Sequence, residues 1–360
     1  GARPLILPEF PWDALAPLGA RAREHPGGIV DLSVGTPVDP TPDAVQAALA
    51  AASDAPGYPT AAGRVEVRQA CCGWLGRRVG ASLDVDGVVP VIGSKEVVAG
   101  LPRLLGLGPG DRVALPEIAY PTYAVGALLA GAEPVATDRP EEVEGVRLVW
   151  LNSPSNPTGA VLPAERLAEV VAWARAAGVV VASDECYLEL GWEAEPVSVL
   201  DPRVSGERPD GLLAVHSLSK RSNMAGYRFG FVAGDPGLVG RILEIRKHSG
   251  MMVPLPVQAA AIAALDDDAH VDEQRERYRR RRTLLRAAVE AAGLRIDAGE
   301  AGLYLWATRG EPCWDTVRWF AERGILVTPG DFYGPAGAAH VRIALTASDE
   351  RVARAVARLE

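Results

Sequence analysis

The sequence predicts an α/β fold, with a large domain built on a mostly parallel sheet between helices and a smaller α+β domain beside it. Three observations predict it. Short apolar runs bounded by turn residues recur through roughly the first two thirds of the chain and alternate with stretches of helical period. In such a series each helix crosses back over the sheet, which aligns the strands. Beyond Asp235 the pattern changes to long charged helices followed by well-separated short strands. The 360 residues, 48% hydrophobic and 23% charged, suffice for one large core and one smaller one.

The elements follow in order. Thr41-Pro42 reads as the N-cap and first turn of a helix running towards Ala52, with Val45, Ala48 and Leu49 on one face. A second helix spans Val65 to Val79, and "GVVPVIG" is a strand leading into a helix from Ser94. The runs "RVALP", "EPVAT", "RLVWLN" and "GVVVASDE" supply further strands, with a helix from Ala164 to Ala176 between the last two. Leu212 to Val215 and Phe229 to Ala233 are two more strands, and a helix follows Asp235. The stretch "DEQRERYRRRRTLLRAAVEAA" is a long amphipathic helix whose basic run reads as a solvated face. Strands near Leu303 to Ala307, Ile325 to Thr328 and Val341 to Leu345 complete the chain. The expected division is residues 31–245 for the large domain, with 1–30 and 246–360 forming the small domain and an N-terminal arm that packs on it or reaches a partner subunit.

Composition excludes several classes of function. A net charge of −9 argues against a nucleic-acid surface. Cys71, Cys72, Cys186 and Cys313 have neither metal-ligand nor disulfide-framework spacing, which indicates a reducing compartment. The opening residues show no charged and apolar leader, and no apolar run is long enough to span a bilayer, so the chain is expected to be cytoplasmic. The five histidines show no metal spacing, and no metal site is expected. "GLGPGD" superficially has a dinucleotide-loop look, but Pro109 removes an N–H and the glycines precede a strand, so it is a turn.

The informative stretch is "VHSLSKRSNMAGYRFGFVAG", residues 215–234, which sets Lys220 among Ser217, Ser219 and Arg228 on a tight connection between two apolar strands. Asp184 ends another apolar strand, Asn156 sits in "NSPSNPTG", and Gly93-Ser94 opens a helix after "VVPVI". Ligands in open α/β sheets collect at such strand ends. A lysine buried there is costly unless its pKa falls or its amine is derivatised, and covalent attachment to an aldehyde removes that cost.

"NSPSNPTG", "SDECY", "SLSKRSNMAGYRFGF" and "VRIALT", in this order and across nearly the whole chain, resemble the class I/II aminotransferases, fold-type I enzymes that use pyridoxal 5′-phosphate (PLP). The resemblance implies a seven-stranded large-domain sheet. Within that family "DLSVGTPVDPTP", "GSKE" and "HSLSKRSNMAGYR" look closest to the N-succinyldiaminopimelate aminotransferases of lysine and diaminopimelate biosynthesis. That implies ping-pong exchange between N-succinyl-LL-2,6-diaminopimelate and 2-oxoglutarate. Alternatives are an aspartate or aromatic amino-acid aminotransferase and a PLP-dependent C–S β-lyase. A PLP-sensing regulator would need an added DNA-binding element, for which this acidic chain has no room.

Roles for individual residues follow from the resemblance. Lys220 corresponds to the lysine that holds the cofactor covalently, gives it up to the substrate amine and then moves a proton. Asp184 would pair with the pyridinium nitrogen, and Asn156 and Tyr187 would bond the ring oxygen. Lys220, Asp184 and Tyr187 form the catalytic set. Gly93, Ser94 and Lys95 at a helix N-terminus, with Ser217, Ser219 and Arg228, would hold the phosphate. Tyr120 would stack on the ring, and Tyr58 would reach the phosphate of a neighbouring subunit, making the active unit a homodimer. Arg342 would grip the substrate α-carboxylate, with Gly35 approaching it closely and Asn156 beside it. Lys95 has two readings, contact with a distal carboxylate such as a succinyl group or an exposed helix-start lysine. His216 is expected near the cofactor wall, and Met251 and Met252 in the core.

Overall fold

The computed structural model describes residues 7, 8 and 10–360. The opening readings on residues 1–6 and 9 lie outside the described residues. A short strand, β1 (Val30–Asp31), precedes seven that build the large sheet: β2 (Val88–Val91), β3 (Arg112–Leu115), β4 (Glu133–Ala136), β5 (Val146–Asn152), β6 (Val180–Asp184), β7 (Leu212–Ser217) and β8 (Gly230–Gly234). Five more follow: β9 (Arg295–Ile296), β10 (Tyr304–Thr308), β11 (Ile325–Leu326), β12 (Thr328–Pro329) and β13 (Val341–Ala344).

The large sheet has the order β2-β8-β7-β6-β5-β3-β4. All its neighbours are parallel except β8, which runs antiparallel to both β2 and β7. Its central strands read as unbroken apolar runs because both faces are covered. On one face Val149, Leu151, Val181, Leu212 and Ala214 pack against the helices Val65–Arg78, Ala164–Ala177 and Leu255–Asp266. On the other, Leu148, Trp150, Ala182, Leu213 and Val215 pack against Ser94–Leu104, Thr122–Ala130 and Pro236–Ser249. Residues alternate between the two cores with the period of two that a strand imposes.

Local chemistry sets the helix ends. Asp235 accepts hydrogen bonds from the N–H groups of Gly237 (2.8 Å) and Leu238 (3.2 Å), and Pro236 supplies a preset first turn. Gly178, with φ of +67°, ends Ala164–Ala177 in a left-handed turn that a side chain would strain. Thr41 does not cap its helix as expected. Its hydroxyl donates to the Asn223 carbonyl at 2.8 Å, and the helix Asp43–Ala51 starts without a side-chain cap.

The smaller core gathers Leu15, Val30 and Leu32 with Tyr278, Leu285, Leu303, Phe320, Ile343 and Leu359. The expected strand Ile325 to Thr328 is two elements. β11 pairs in parallel with β1, whereas β12 joins the antiparallel sheet β12-β13-β10-β9. The expected boundary at 245/246 falls inside the helix Pro236–Ser249, and Ala260, Ala261, Ala264 and Leu265 beyond it pack in the large core. The apolar helix Leu255–Asp266 stays with the large core, and the change of core comes with the charged helix Ala269–Ala291, whose Tyr278, Leu285 and Val289 pack in the smaller one.

The basic run of the long helix Ala269–Ala291 is also not simply a solvated face. Arg281 and Arg282 are buried, and Arg281 makes a two-pronged pair with Asp39 at 2.7 Å for each bond while its Nε bonds Asp349 at 2.6 Å. Arg282 pairs in the same forked way with Glu193 at 2.8 Å. Burying a guanidinium is tolerable only with such partners. Met251 and Met252 are half-buried rather than core.

Candidate active site

The parallel strands bring the site residues to one edge. Register places Asn152 beside Asp184 and Asp184 beside Val215, so β5, β6 and β7 end together. A cavity of about 340 Å³ opens there, between the sheet edge and the smaller core. Of the residues expected from sequence it is lined by Gly35, Ser94, Lys95, Tyr120, Asn156, Asp184, Tyr187, Ser217, Ser219, Lys220, Arg228 and Arg342. Two fall outside the lining. Tyr58 is 96% exposed and does not line this cavity. Gly93 acts indirectly, because a Cβ built there would overlap the Arg228 guanidinium.

Asp184 sits on the cavity floor, 7% exposed. Burial raises its pKa above the ordinary carboxylate value, while hydrogen bonds from Cys186 and Tyr123 and the charge of Lys220 oppose the rise. The Tyr123 hydroxyl donates to Asp184 Oδ2 at 2.8 Å, and the Cys186 N–H to Oδ1 at 3.2 Å. A carboxyl in this setting gains from a cation placed against it. Lys220 lies on the turn Leu218–Arg221 directly after β7, half-buried rather than largely buried, and its amine has no hydrogen bond among the described residues.

Arg342 is the buried cation of the site, 3% exposed. Its Nη1 donates to Asn156 Oδ1 at 3.0 Å and its Nη2 to the Ser33 carbonyl at 2.6 Å. The guanidinium lies 4.1 Å from the ring centroid of Tyr304 and 5.2 Å from that of Tyr333. Among the described residues it has no carboxylate partner, and its Nε is buried without a hydrogen bond. The Tyr187 and Tyr304 hydroxyls meet at 2.9 Å, and Gly35 must be glycine because a Cβ would overlap the Tyr304 hydroxyl. Burial raises the Tyr187 pKa well above that of a free phenol, so it is a neutral hydrogen-bonding group.

At the opposite end, Ser94 begins the helix Ser94–Leu104 behind the left-handed Gly93. Its hydroxyl is 3.4 Å from the Cys186 sulfur. Ser217 Oγ accepts from the Ser219 N–H at 3.1 Å, which leaves its own proton to donate. Arg228 adds a guanidinium fixed by a 2.8 Å bond to the Ala225 carbonyl. An open helix start, serine hydroxyls and an arginine are a donor set for a phosphate. The basic phosphate end, the buried acid and the half-buried lysine together fit PLP.

Sequence reasoning missed Tyr123, Tyr304, Cys186, Phe10 and Trp12, all of which line the cavity. Tyr123 carried a signal, since it follows Tyr120 by three residues in "AYPTY", and the two rings meet edge-to-face at 5.9 Å. It stacks on Trp150 at 4.9 Å, which fixes the hydroxyl that reaches Asp184.

Behind the floor, on the far side of Asp184 and Ser217, lies a second buried pair. Glu185 Oε2 and His216 Nε2 are 3.5 Å apart, and Glu185 Oε1 accepts from the Val199 N–H at 2.8 Å. Burial pushes Glu185 up to about 7, and burial with the Arg221 charge lowers His216 to about 3. Between those values both are neutral, so the contact is not an ion pair. The folded chain holds the Glu185 proton more tightly than the unfolded chain, so stability from this group is full below about pH 4.5 and is lost as pH rises towards 7. His216 has the opposite sign, adding stability as pH rises from about 3 to 6.5. Glu185→Gln is therefore expected to match the native chain near pH 4.5 and to exceed it by about 3 kcal/mol near pH 8, read from denaturant unfolding at both pH values. An equal offset at both pH values would contradict the assignment.

Residues 28–359 match the family described as aminotransferase class I and II. The chain belongs to this family, and it is accordingly a PLP-dependent aminotransferase. It is 58% identical, over 98% of its own length and 99% of the relative's, to 4-dedimethylamino-4-oxo-anhydrotetracycline transaminase OxyQ of Streptomyces rimosus. It is 61% identical to the probable aminotransferase Rv1178 of Mycobacterium tuberculosis, over 98% of this chain and 85% of that one. Among solved structures, a probable N-succinyldiaminopimelate aminotransferase from Thermus thermophilus superposes with a TM-score of 0.88 at 28% identity, covering 97% of this chain and 99% of that one.

Proposed function

We propose that the chain exchanges an amino group between N-succinyl-LL-2,6-diaminopimelate and 2-oxoglutarate, as a cytoplasmic homodimer working by a ping-pong cycle. The observation that carries the chemistry is Arg342, a buried guanidinium with no carboxylate among the described residues, in the same cavity as Lys220. It holds the α-carboxylate, with Gly35 and Asn156 beside it, and so sets the substrate amine and Cα towards Lys220. Lys220 binds the cofactor, and its released amine carries the proton to and from Cα. PLP, when bound, supplies a ring that accepts the electrons left as that proton departs. Asp184, fixed by Tyr123, would neutralise a protonated ring nitrogen, and Tyr120 would cover the ring. Asn156 has its Oδ1 engaged by Arg342, which leaves its amide N–H groups for the ring oxygen together with Tyr187. Backbone N–H groups around Gly93 to Lys95, the hydroxyls of Ser94, Ser217 and Ser219 and the Arg228 guanidinium hold the phosphate, Gly93 also leaving room for Arg228, and the exposed Tyr58 reaches the site of the second subunit.

The succinylated substrate is supported by the motifs around Gly35, Ser94 and Lys220 and by a cation at the mouth, Lys95, whose ammonium lies 5.7 Å from the Phe10 ring and 6.0 Å from the Tyr120 ring. A second reading, amination of a ring ketone, is favoured by the 58% identity to OxyQ across nearly the full length of both chains. Single-turnover absorbance of the PLP-loaded protein separates them. Conversion with glutamate and with N-succinyl-LL-diaminopimelate, each at least tenfold faster than with aspartate or an aromatic amino acid, is expected. Slow conversion with the succinylated substrate, alongside consumption of 4-dedimethylamino-4-oxo-anhydrotetracycline by the glutamate-treated protein, would establish the second reading instead.

A further inference from the structure

We infer that Phe10 and Trp12 form the wall that receives the distal part of the substrate, and that the substrate class is an amino or oxo acid with a long side chain. This rests on the α-carboxylate being held by Arg342, as proposed above. Packed rings link that guanidinium, through the buried Tyr333, to the two residues. Tyr333 is 5.2 Å from it, Trp12 is 6.4 Å from Tyr333 in an edge-to-face arrangement, and Phe10 is 5.5 Å from Trp12. Both Phe10 and Trp12 line the same cavity as Lys220 and Arg342. A substrate fixed at Arg342 with a side chain long enough to cross the cavity meets these two rings.

The wall is held in place before anything binds. Trp12 packs on Phe332 at 5.4 Å as well as on Tyr333, and Leu15, the last residue of the turn Pro11–Leu15, is buried in the smaller core. The Asp13 N–H bonds the Phe10 carbonyl at 3.1 Å, and Pro11 fixes the backbone between the two rings. Phe10 nevertheless stays 56% exposed, an apolar ring facing water at the mouth of a polar cavity. Covering it with the body of a ligand is favourable, and the more so the longer that apolar body is. The Lys95 ammonium over the same ring suits a negative group at the far end of that body.

The test uses the PLP-loaded protein and 2-amino dicarboxylic acids of four to seven carbons, aspartate through 2-aminopimelate. In the native chain kcat/KM is expected to rise with length. In Phe10→Ala and Trp12→Ala the ratio for the seven-carbon over the four-carbon acid is expected to fall about tenfold, mostly through KM, and Phe10→Tyr is expected to restore it. Calorimetric Kd values for unreactive pimelate against succinate are expected to lose the same preference, a readout independent of turnover. Parallel length series in native and variant proteins would overturn the inference. So would a loss shared equally by all lengths together with a changed association state, which would place Phe10 against a second subunit. Failure of the succinylated substrate with the length dependence intact would remove the pathway proposal and leave this inference standing.

Discussion

Lys220→Ala is expected to lower transamination by roughly 10⁴-fold, the upper range for removing a group that both holds the reactant and carries its proton. The same change is expected to abolish covalent retention of PLP, so that borohydride treatment labels the peptide containing Lys220 in the native protein and no peptide in the variant. Stability should move by no more than about 1 kcal/mol, because the side chain is half-buried and has no hydrogen bond among the described residues. Loss of the Lys220 charge also removes one of the influences that hold down the Asp184 carboxyl, so the variant should bind a protonated pyridine ring less well. A folded Lys220→Ala protein with native turnover would contradict the assignment.

Arg342→Leu is expected to reduce kcat/KM by roughly 10²–10³-fold, in line with the 2–5 kcal/mol that truncating one partner of a buried, hydrogen-bonded charge pair costs. KM should carry most of the loss for every amino donor, since the α-carboxylate is common to all. Arg342→Lys should recover little, because a single ammonium cannot bond Asn156 Oδ1 and the Ser33 carbonyl and still present a two-pronged face to a carboxylate. Unfolding stability provides the control. Removing this guanidinium orphans no carboxylate among the described residues but leaves the buried Asn156 Oδ1 without its donor and takes one from the Ser33 carbonyl, so Arg342→Leu should lose about 1–3 kcal/mol and stay folded. A variant that loses activity only in proportion to its stability would point to a structural role.

The separate fates of Arg342 and Arg281 mark where sequence reading stops. Arg342 was legible because one cation stands alone in the apolar strand "VRIAL", where nothing but a function explains it. Arg281 and Arg282 sit in a run of arginines that any solvated helix could carry, and their partners Asp39 and Glu193 lie far away in sequence. The strand ends that hold Asp184 and Ser217 were legible because strands buried on both faces are apolar runs, and a polar residue closing such a run stands out. β1 was not. It has two residues, and its partner Ile325–Leu326 lies almost the length of the chain away, so neither period nor length betrays it. Tyr304 and Trp12 were invisible for a related reason. Each is an aromatic residue of ordinary core type, and only the packing of the smaller core against the sheet edge turns it towards the cavity.

The distinction between amino transfer and the other chemistry this constellation could run rests on products. The most direct measurement mixes the PLP-loaded protein with glutamate alone, in single turnover, and quantifies what is released. One equivalent of 2-oxoglutarate per site, no ammonia, and recovery of the cofactor as pyridoxamine phosphate are expected. Release of ammonia, or a cofactor left unchanged by glutamate, would contradict the reading of this site as an aminotransferase centre.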